Sequence, residues 1–188
     1  PAARVYFSDV DDSLAWARDA IEILAGRGII QGRGEHFDPL TPVTRAEFIT
    51  LIARALGNNT VDYQGIIPED VSQSDWFYPS LQYCLQEGII SGYPDGSFRP
   101  VNSISRQEMA CIIYRLKKDK QNNNQISIFG DQDSIAPWAV PAVKFVVAEK
   151  LMLGYEDGSF RAGQACSRAE AAVILFRYLN SIEATPLK

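Results

Sequence analysis

The feature that most constrains the fold of this chain is an internal repeat. Three landmarks recur at intervals of 60 to 62 residues: Trp16, Trp76 and Trp138; Gly32, Gly92 and Gly154; and Glu47, Glu108 and Glu170. Because independent landmarks keep one register, the sequence predicts three copies of a single supersecondary unit.

Each unit is predicted to contain a helix, a short turn-rich hairpin and a second helix. The second helix of the first unit places Phe48, Leu51, Ile52 and Ala55 at positions i, i+3, i+4 and i+7, which is one apolar helical face. The hairpin carries Asp-Gly between apolar flanks at 93–98 and 155–160, a strong signal for a tight turn. The fold class is therefore predicted to be mainly α.

The boundaries of the units follow from polar segments between them. A unit of roughly 50 residues buries little apolar surface alone, so the three are predicted to share one helical core in a pseudo-threefold assembly. The predicted repeats are 1–57, 68–117 and 127–181, the linkers 58–67 and 118–126, and the tail 182–188.

Composition excludes several classes of partner. Hydrophobic residues make up 46% of the 188-residue chain, which indicates a folded protein. The formal net charge is −5, whereas nonspecific nucleic-acid binding depends on clustered Lys and Arg. No apolar stretch is long enough to span a bilayer. We expect neither nucleic-acid binding nor membrane insertion.

Residues typical of metal sites and of nucleophilic catalysis are scarce. The chain has three cysteines, an odd number, and none of them has CxxC spacing: Cys84, Cys111 and Cys166. His36 is the only histidine. Cys84 and Cys111 fall on apolar faces of predicted helices, where a free thiol behaves as a small hydrophobe. The sequence predicts no disulfide framework, metal, cofactor or catalytic residue.

A helix-capping motif recurs at the start of each second helix. In a capping box, the Ser or Thr hydroxyl accepts from the backbone amide three residues later, and the Glu side chain accepts from the amide of the cap residue. This geometry gives the Ser, Thr and Glu residues a sufficient structural explanation. The predicted caps are Thr44 with Glu47, Ser105 with Glu108, and Ser167 with Glu170.

The arginine inside each capping motif requires a separate explanation. Arg45, Arg106 and Arg168 occupy the first helical position, where a positive charge opposes the helix dipole by a few tenths of a kcal/mol. One explanation is a bound carboxylate or phosphate, which helix amides and a guanidinium together favour. The alternative is a buried ion pair with an Asp.

The ordered motifs resemble the S-layer homology repeat. The second copy has Pro68-Glu69-Asp70-Val71, then Trp76, GIISGYPDGSFRP and Ser105 to Glu108, and similar segments begin at Phe7 and Phe129. The resemblance implies a mainly helical, pseudo-threefold assembly whose inter-repeat grooves bind secondary cell-wall polymers. In many family members the ligand resembles a pyruvylated N-acetylmannosamine residue.

The resemblance implies a noncovalent anchor, not an enzyme, in the bacterial cell wall or S-layer, forming part of a larger surface protein. The arginines Arg45, Arg106 and Arg168 would then bind the glycan carboxylate. Further groove contacts are predicted for Trp16, Trp76, Trp138, Gly32, Gly92, Gly154, Tyr93 and Tyr155.

Those further contacts have structural alternatives. For the tryptophans we favour core packing, because they begin an apolar helical face. For the glycines we favour a turn with positive φ over close approach of a ligand. Hairpin packing explains the tyrosines as well as hydrogen bonds to sugar hydroxyls do.

Two other functions fit parts of the sequence. The repeats could form an oligomerisation module in which the arginines make structural ion pairs and no glycan binds. A carboxylate pair could in principle belong to a small wall-active glycosidase. The repeats are also unequal, since the first replaces the Tyr-containing hairpin by the shorter 33–37 and the third has Lys150 in place of Gly.

Overall fold

The computed structural model describes residues 3–57, 61–117 and 129–183. Within these ranges every repeat contributes two α-helices, which confirms the mainly helical fold. The first helices are α1 (Ala15–Gly26), α3 (Tyr78–Gln86) and α5 (Val140–Ala148), and the second helices are α2 (Arg45–Ala55), α4 (Arg106–Leu116) and α6 (Arg168–Ile182).

The first helix of each repeat ends at a residue in the left-handed conformation. Gly28 and Gly88 follow α1 and α3 with φ of 72° and 65°. A glycine after the last turn is a common helix terminator because it has no Cβ to oppose positive φ. Lys150 occupies this position after α5 with φ of 55°, so the third repeat keeps the conformation without the glycine.

Helix packing runs between repeats rather than within them. Helix α2 packs on α3, α4 packs on α5, and α6 packs on α1, so that the last repeat closes on the first. Buried residues of all three repeats form one hydrophobic cluster. The predicted shared interior is therefore confirmed, while the threefold rotation relating the repeats stays a prediction.

Three backbone hydrogen bonds close a ring among buried residues of this core. Ile104 donates to the carbonyl of Val43, Cys166 donates to Ile104, and Val43 donates to Cys166, at N···O distances of 3.0, 3.0 and 2.9 Å. All three residues are buried. Each precedes the Ser or Thr cap of a second helix, so the ring fixes where α2, α4 and α6 begin.

The hairpins are tight turns rather than strand ladders. In the second repeat the carbonyl of Tyr93 accepts from the amide of Gly96 at 2.9 Å, and Gly96 has φ of 81°. The equivalent Gly158 has φ of 78°. The Asp-Gly turns are confirmed, but across the described ranges β pairing is limited to isolated bridges.

The predicted repeat boundaries remain predictions. The linker 118–126 and residues 58–60 of the first linker lie outside the described residues, as do 184–188 of the predicted tail. Helix α6 extends to Ile182, one residue beyond the predicted end of the third repeat. None of the described helices combines the length and apolarity needed to cross a bilayer.

Candidate functional site

All three predicted capping boxes are present. In the first, the Thr44 hydroxyl accepts from the Glu47 amide at 3.2 Å, and the Glu47 carboxylate accepts from the Thr44 amide at 2.8 Å. The same reciprocal bonds start α4 and α6. The structural assignment of the Ser, Thr and Glu residues is therefore confirmed.

The second carboxylate oxygen of each cap glutamate has a further role. Glu170 uses one oxygen for the cap, while the other accepts from Tyr155 Oη at 2.8 Å and from Arg106 Nη1 at 3.1 Å. Glu108 makes the corresponding bonds with Tyr93 and Arg45. Burial opposes ionisation of Glu108, but the hydrogen bonds from Ser105 and Tyr93 outweigh it and lower its pKa.

The motif arginines lie inside the interfaces between repeats. The Arg106 side chain is only 5% exposed, and besides Glu170 it donates to the carbonyls of Phe160 at 2.8 Å and Leu153 at 2.7 Å. Its guanidinium stacks on the Tyr155 and Phe160 rings at 4.7 and 4.8 Å. The anticipated buried partner is present, but it is a Glu of the next repeat rather than an Asp.

These ion pairs join the repeats in cyclic order. Each arginine contacts the cap glutamate of the following repeat, and the third returns to the first. The N···O distances are 3.2 Å for Arg45–Glu108, 3.1 Å for Arg106–Glu170 and 3.8 Å for Arg168–Glu47. The third contact is the loosest, and the Arg168 side chain is also the most exposed of the three arginines at 13%.

The tryptophans do not pack in the core, so that favoured interpretation is wrong. Trp16, Trp76 and Trp138 are 52%, 63% and 59% exposed. The next residue in each repeat, Ala17, Phe77 or Ala139, is buried instead. The apolar face thus begins one residue later than predicted, and it leaves the indole rings at the surface.

The favoured explanation of the landmark glycines is also wrong. Positive φ occurs at other glycines, and Gly32, Gly92 and Gly154 are not among them. A Cβ on Gly154 would collide with the Phe129 ring and lie 3.0 Å from the Ser159 carbonyl oxygen. These glycines are required because their own repeat packs closely against them.

Substitution of Gly154 by Ala is expected to destabilise the fold by about 1–3 kcal/mol, because the added methyl group overpacks the contact with Phe129. The free energy of unfolding from urea denaturation checks this. Gly163→Ala is the matched control, since a Cβ there meets nothing within 4 Å. Equal losses in both variants would contradict the steric explanation.

A groove of about 800 Å³ lies beside the hairpin and second helix of the third repeat. We call it the third-repeat groove. Residues of all three repeats line it, including Trp16 and Leu40 from the first, Arg106 from the second, and Tyr155, Glu170 and Arg177 from the third.

Arg177 is the least compensated charge in the third-repeat groove. Its side chain is half-buried on α6, and burial lowers its pKa. Arg106 and Arg161 in the same groove contact Glu170 and Asp157. Among the described residues, Arg177 has neither a hydrogen-bond nor an ion-pair partner. This guanidinium is available to an anion.

A smaller groove of about 280 Å³ occupies the corresponding place in the first repeat. We call it the first-repeat groove. Most of its positions have a counterpart in the third-repeat groove, so the two are versions of a single site. The matched residues are Gly32, Arg33, Glu47 and Arg54 from the first repeat, Trp76 from the second and Arg168 from the third.

Sequence reasoning missed Arg54 and Arg177, although a signal was present. Arg54, Arg115 and Arg177 each lie seven residues after a cap glutamate, and therefore two turns along the same helix face. Arg54 also lacks a hydrogen-bond or ion-pair partner within the described ranges. Arg115 is exposed and donates to the Ile89 carbonyl at 3.5 Å.

The predicted tyrosines have structural partners as well as groove exposure. The Tyr155 ring lies between the guanidinium groups of Arg106 and Arg161, and it lines the third-repeat groove. Burial, with the hydrogen bond to Glu170, raises the pKa of Tyr155 to about 12. Its hydroxyl is therefore a hydrogen-bond donor at neutral pH, not a base.

The thiols and carboxylates show no metal-binding arrangement among the described residues. Burial raises the pKa of both Cys84 and Cys166 to about 12, so these thiols remain protonated. Each groove combines fixed guanidinium groups, an exposed indole and hairpin side chains. This arrangement is suited to binding an anion attached to a ring with apolar faces.

Comparison with known families agrees with the repeat structure. The profile of the S-layer homology domain matches residues 6–49, 69–110 and 128–172. The chain belongs to the S-layer homology domain family. Its three matches fall within the three predicted repeats.

Several surface proteins and enzymes share this domain. The chain is 37% identical to the exoglucanase XynX of Acetivibrio thermocellus over 94% of the chain and 16% of XynX. It is 26% identical to the surface-layer 125 kDa protein of Lysinibacillus sphaericus over 98% of the chain and 16% of that protein.

The chain is also 30% identical to the cellulosome-anchoring protein of Acetivibrio thermocellus, over 83% of the chain and 38% of that protein. It therefore spans less than two fifths of these three relatives. Family membership and these relatives indicate a cell-wall-associated, extracellular location, and they support a role in cell-wall anchoring.

Proposed function

We propose that this S-layer homology module anchors its parent protein noncovalently by binding an anionic, pyruvylated cell-wall polysaccharide in the inter-repeat grooves. The observation that carries the proposal is Arg177, a half-buried guanidinium without a partner among the described residues, in a groove of about 800 Å³. A carboxylate there would receive charge-assisted hydrogen bonds in a partly desolvated site.

The other walls of the third-repeat groove suit a pyruvylated sugar. A pyruvate ketal carries one carboxylate and one methyl group. Trp16 is exposed and offers an aromatic face to the C–H groups of a sugar ring. Leu40, which is 73% exposed, and Val173 line the same groove and offer apolar contact to a methyl group.

The predicted assignment of the carboxylate to Arg45, Arg106 and Arg168 stays a prediction. A guanidinium has five N–H donors on three nitrogens, and each nitrogen of Arg106 already makes one of its hydrogen bonds to Phe160, Glu170 and Leu153. In our proposal Arg106 mainly holds Glu170 and Tyr155 in position on the groove floor. Arg177 makes the direct contact with the carboxylate.

Anchoring also fits the overall charge and the repeat architecture. Local geometry at Arg177 favours an anion although the chain carries a formal net charge of −5. A polysaccharide repeats its charged unit, so several grooves can engage one polymer and gain avidity. The module would supply attachment, and any catalysis would belong to other parts of the parent protein.

Arg177→Ala is expected to weaken binding of native wall polymer roughly tenfold, because one charge-assisted contact is lost. The measurement is calorimetric titration with native and with chemically depyruvylated polymer. Wild type is expected to prefer the native polymer, and the preference is expected to shrink in Arg177→Ala. Arg27→Ala is the matched control, since Arg27 pairs with Glu183 and does not line either groove.

Two results would contradict the proposal. Full discrimination against depyruvylated polymer by Arg177→Ala would show that Arg177 does not contact the carboxylate. Equal sedimentation with intact and polymer-stripped walls would favour an oligomerisation module instead. Titration of Arg45→Ala, Arg106→Ala and Arg168→Ala at a temperature where each is folded tests the predicted contact of these arginines with the carboxylate.

A further inference from the structure

The two grooves differ in charge. The residues lining the third-repeat groove include three arginines and three acidic residues, so their charges cancel. The first-repeat groove is lined by Arg33, Arg54 and Arg168 with a single acidic residue, Glu47, so two positive charges are in excess. Asp38, which lies 3.5 Å from Arg33, reduces that excess to one.

The positive excess arises in the hairpin. Arg33 takes the place of Tyr155, and no acidic residue of the first-repeat hairpin lines the groove as Glu156 and Asp157 line the other one. Asp38 acts in the opposite direction, because it takes the left-handed position that Arg161 occupies in the third repeat, with φ of 58° and 55°. Without the tyrosine, Glu47 receives no phenolic hydrogen bond within the described residues, whereas Glu170 accepts one at 2.8 Å.

The arginines of the first-repeat groove are also less firmly paired. Arg168 donates to the carbonyls of Phe37 and Gln31 at 2.8 Å, as Arg106 does to two carbonyls of the third repeat. Its Nη1, however, lies 3.8 Å from Glu47, beyond hydrogen-bond distance, while Arg106 Nη1 lies 3.1 Å from Glu170. Arg33 lies 3.5 Å from Asp38 and is 68% exposed, while Arg161 lies 2.8 Å from Asp157. Arg54 has no hydrogen-bond or ion-pair partner in the part of the chain that is described.

These guanidinium groups are close enough to act on one ligand. All three line a cavity of about 280 Å³. Burial is the main cause that lowers the pKa of Arg168. The negative charge of Glu47 raises this pKa, and the positive charge of Arg33 lowers it. Because the positive charges here exceed the acidic groups beside them, an anion of higher charge relieves the repulsion among the arginines more fully.

We infer that the first-repeat groove binds a phosphoryl group on the wall polymer, through Arg33, Arg54 and Arg168, while the third-repeat groove binds a carboxylate. The inference rests on the proposed function and adds a second ligand class. A phosphomonoester carries a charge of about −1.5 to −2 at neutral pH and presents three acceptor oxygens, which match three guanidinium donors.

The tryptophans allow each groove to be observed separately. Trp76 lines the first-repeat groove and Trp16 lines the third-repeat groove, so their indole N–H signals report on different sites in NMR titrations. The probe is N-acetylglucosamine 6-phosphate. It is expected to shift the Trp76 signal at lower concentration than the Trp16 signal.

A second probe tests whether the charge of the ligand, rather than its shape, determines binding to the first-repeat groove. N-acetylglucosamine 6-sulfate has the same tetrahedral shape but one charge fewer, and it is expected to bind the first-repeat groove roughly tenfold more weakly. Arg33→Gln and Arg54→Gln are each expected to weaken binding of the phosphate probe roughly tenfold. Arg99→Gln is the control, because Arg99 is an exposed arginine paired with Asp95.

Three results would overturn the inference: equal affinity for sulfate and phosphate, a stronger response at Trp16 than at Trp76, or unchanged phosphate binding in Arg33→Gln. None of these affects the proposed carboxylate contact. Different results would contradict the proposed function. These are equal binding of native and depyruvylated polymer by wild type, or full preference for the native polymer in Arg177→Ala.

Discussion

Arg106→Ala is expected to lower the free energy of unfolding by about 3–5 kcal/mol, because removal of one member of a buried ion pair leaves the other uncompensated. The substitution leaves Glu170 without its ion-pair partner and the carbonyls of Phe160 and Leu153 without the hydrogen bonds from Arg106. It also removes the stacking of the guanidinium on two aromatic rings. Urea unfolding followed by circular dichroism measures the loss.

Two comparisons make this expectation specific. Arg115→Ala on the same helix removes an exposed arginine and is expected to change stability by no more than about 0.5 kcal/mol. Arg168→Ala is expected to cost less than Arg106→Ala, since its ion pair is longer at 3.8 Å and its side chain more exposed. A wild-type unfolding midpoint in Arg106→Ala would refute the structural role.

The capping boxes show which parts of the site are visible in a sequence. Ser105 and Glu108 are three residues apart, so their reciprocal bonds depend only on local geometry. The partner of Arg106 is Glu170, which lies 64 residues away on the next repeat. Periodicity predicts that repeats meet, but it does not determine which side chains face each other.

The predictions of core packing for the tryptophans and positive φ for the glycines are wrong for a related reason. Trp76 lies two residues before α3, and a shift of one residue at a helix entrance exchanges the buried and exposed positions. Gly154 is required by the Phe129 ring, which is contributed by a segment 25 residues earlier. Local turn signals cannot reveal such a contact.

The sequence does not single out Arg54 or Arg177, because an isolated arginine on a helix normally needs no special explanation. Arg54 lies in the last turn of α2, where the helix dipole favours a basic residue, and Arg177 lies five residues before the end of α6. Their importance depends on a groove built by three repeats, and on the absence of a hydrogen-bond or ion-pair partner for either guanidinium among the described residues. Both facts emerge only after the repeats are assembled.

Each of the three repeats has an aspartate that accepts hydrogen bonds from two backbone amides at the end of its hairpin, and Asp131 is the one in the third repeat. Its carboxylate accepts from the amides of Phe160 and Arg161 at 2.8 and 2.7 Å. Asp9 and Asp70 make the same pair of bonds with the hairpin ends of their own repeats. The acidic residue of each N-terminal segment thus holds a backbone turn in the left-handed conformation.

Asp131→Ala is expected to destabilise the fold by about 2–4 kcal/mol, because two backbone amides lose a charged acceptor. Urea unfolding at pH 7 measures this loss, with the neighbouring exposed Asp133→Ala as control. Asp131→Asn is expected to lie between Asp131→Ala and wild type, since the amide oxygen can accept only part of this hydrogen bonding.

The dependence on pH provides an independent check. Burial opposes ionisation of Asp131, but the hydrogen bonds from Phe160 and Arg161 outweigh it, so the pKa lies below its ordinary value of 3.8. A depressed folded-state pKa gives stability that is present above the unfolded pKa and lost as pH falls through the folded one. The advantage of wild type over Asp131→Asn should therefore shrink below about pH 4.

One peptide unit connects this aspartate to the ion pairs between repeats. Its N–H, from Arg161, donates to Asp131 at 2.7 Å, and its carbonyl, from Phe160, accepts from Arg106 at 2.8 Å. If Asp131 positions that carbonyl, Asp131→Ala already weakens the Arg106 contact. The double variant should then lose less stability than the sum of the single losses. Additive losses would show that the two contacts act independently.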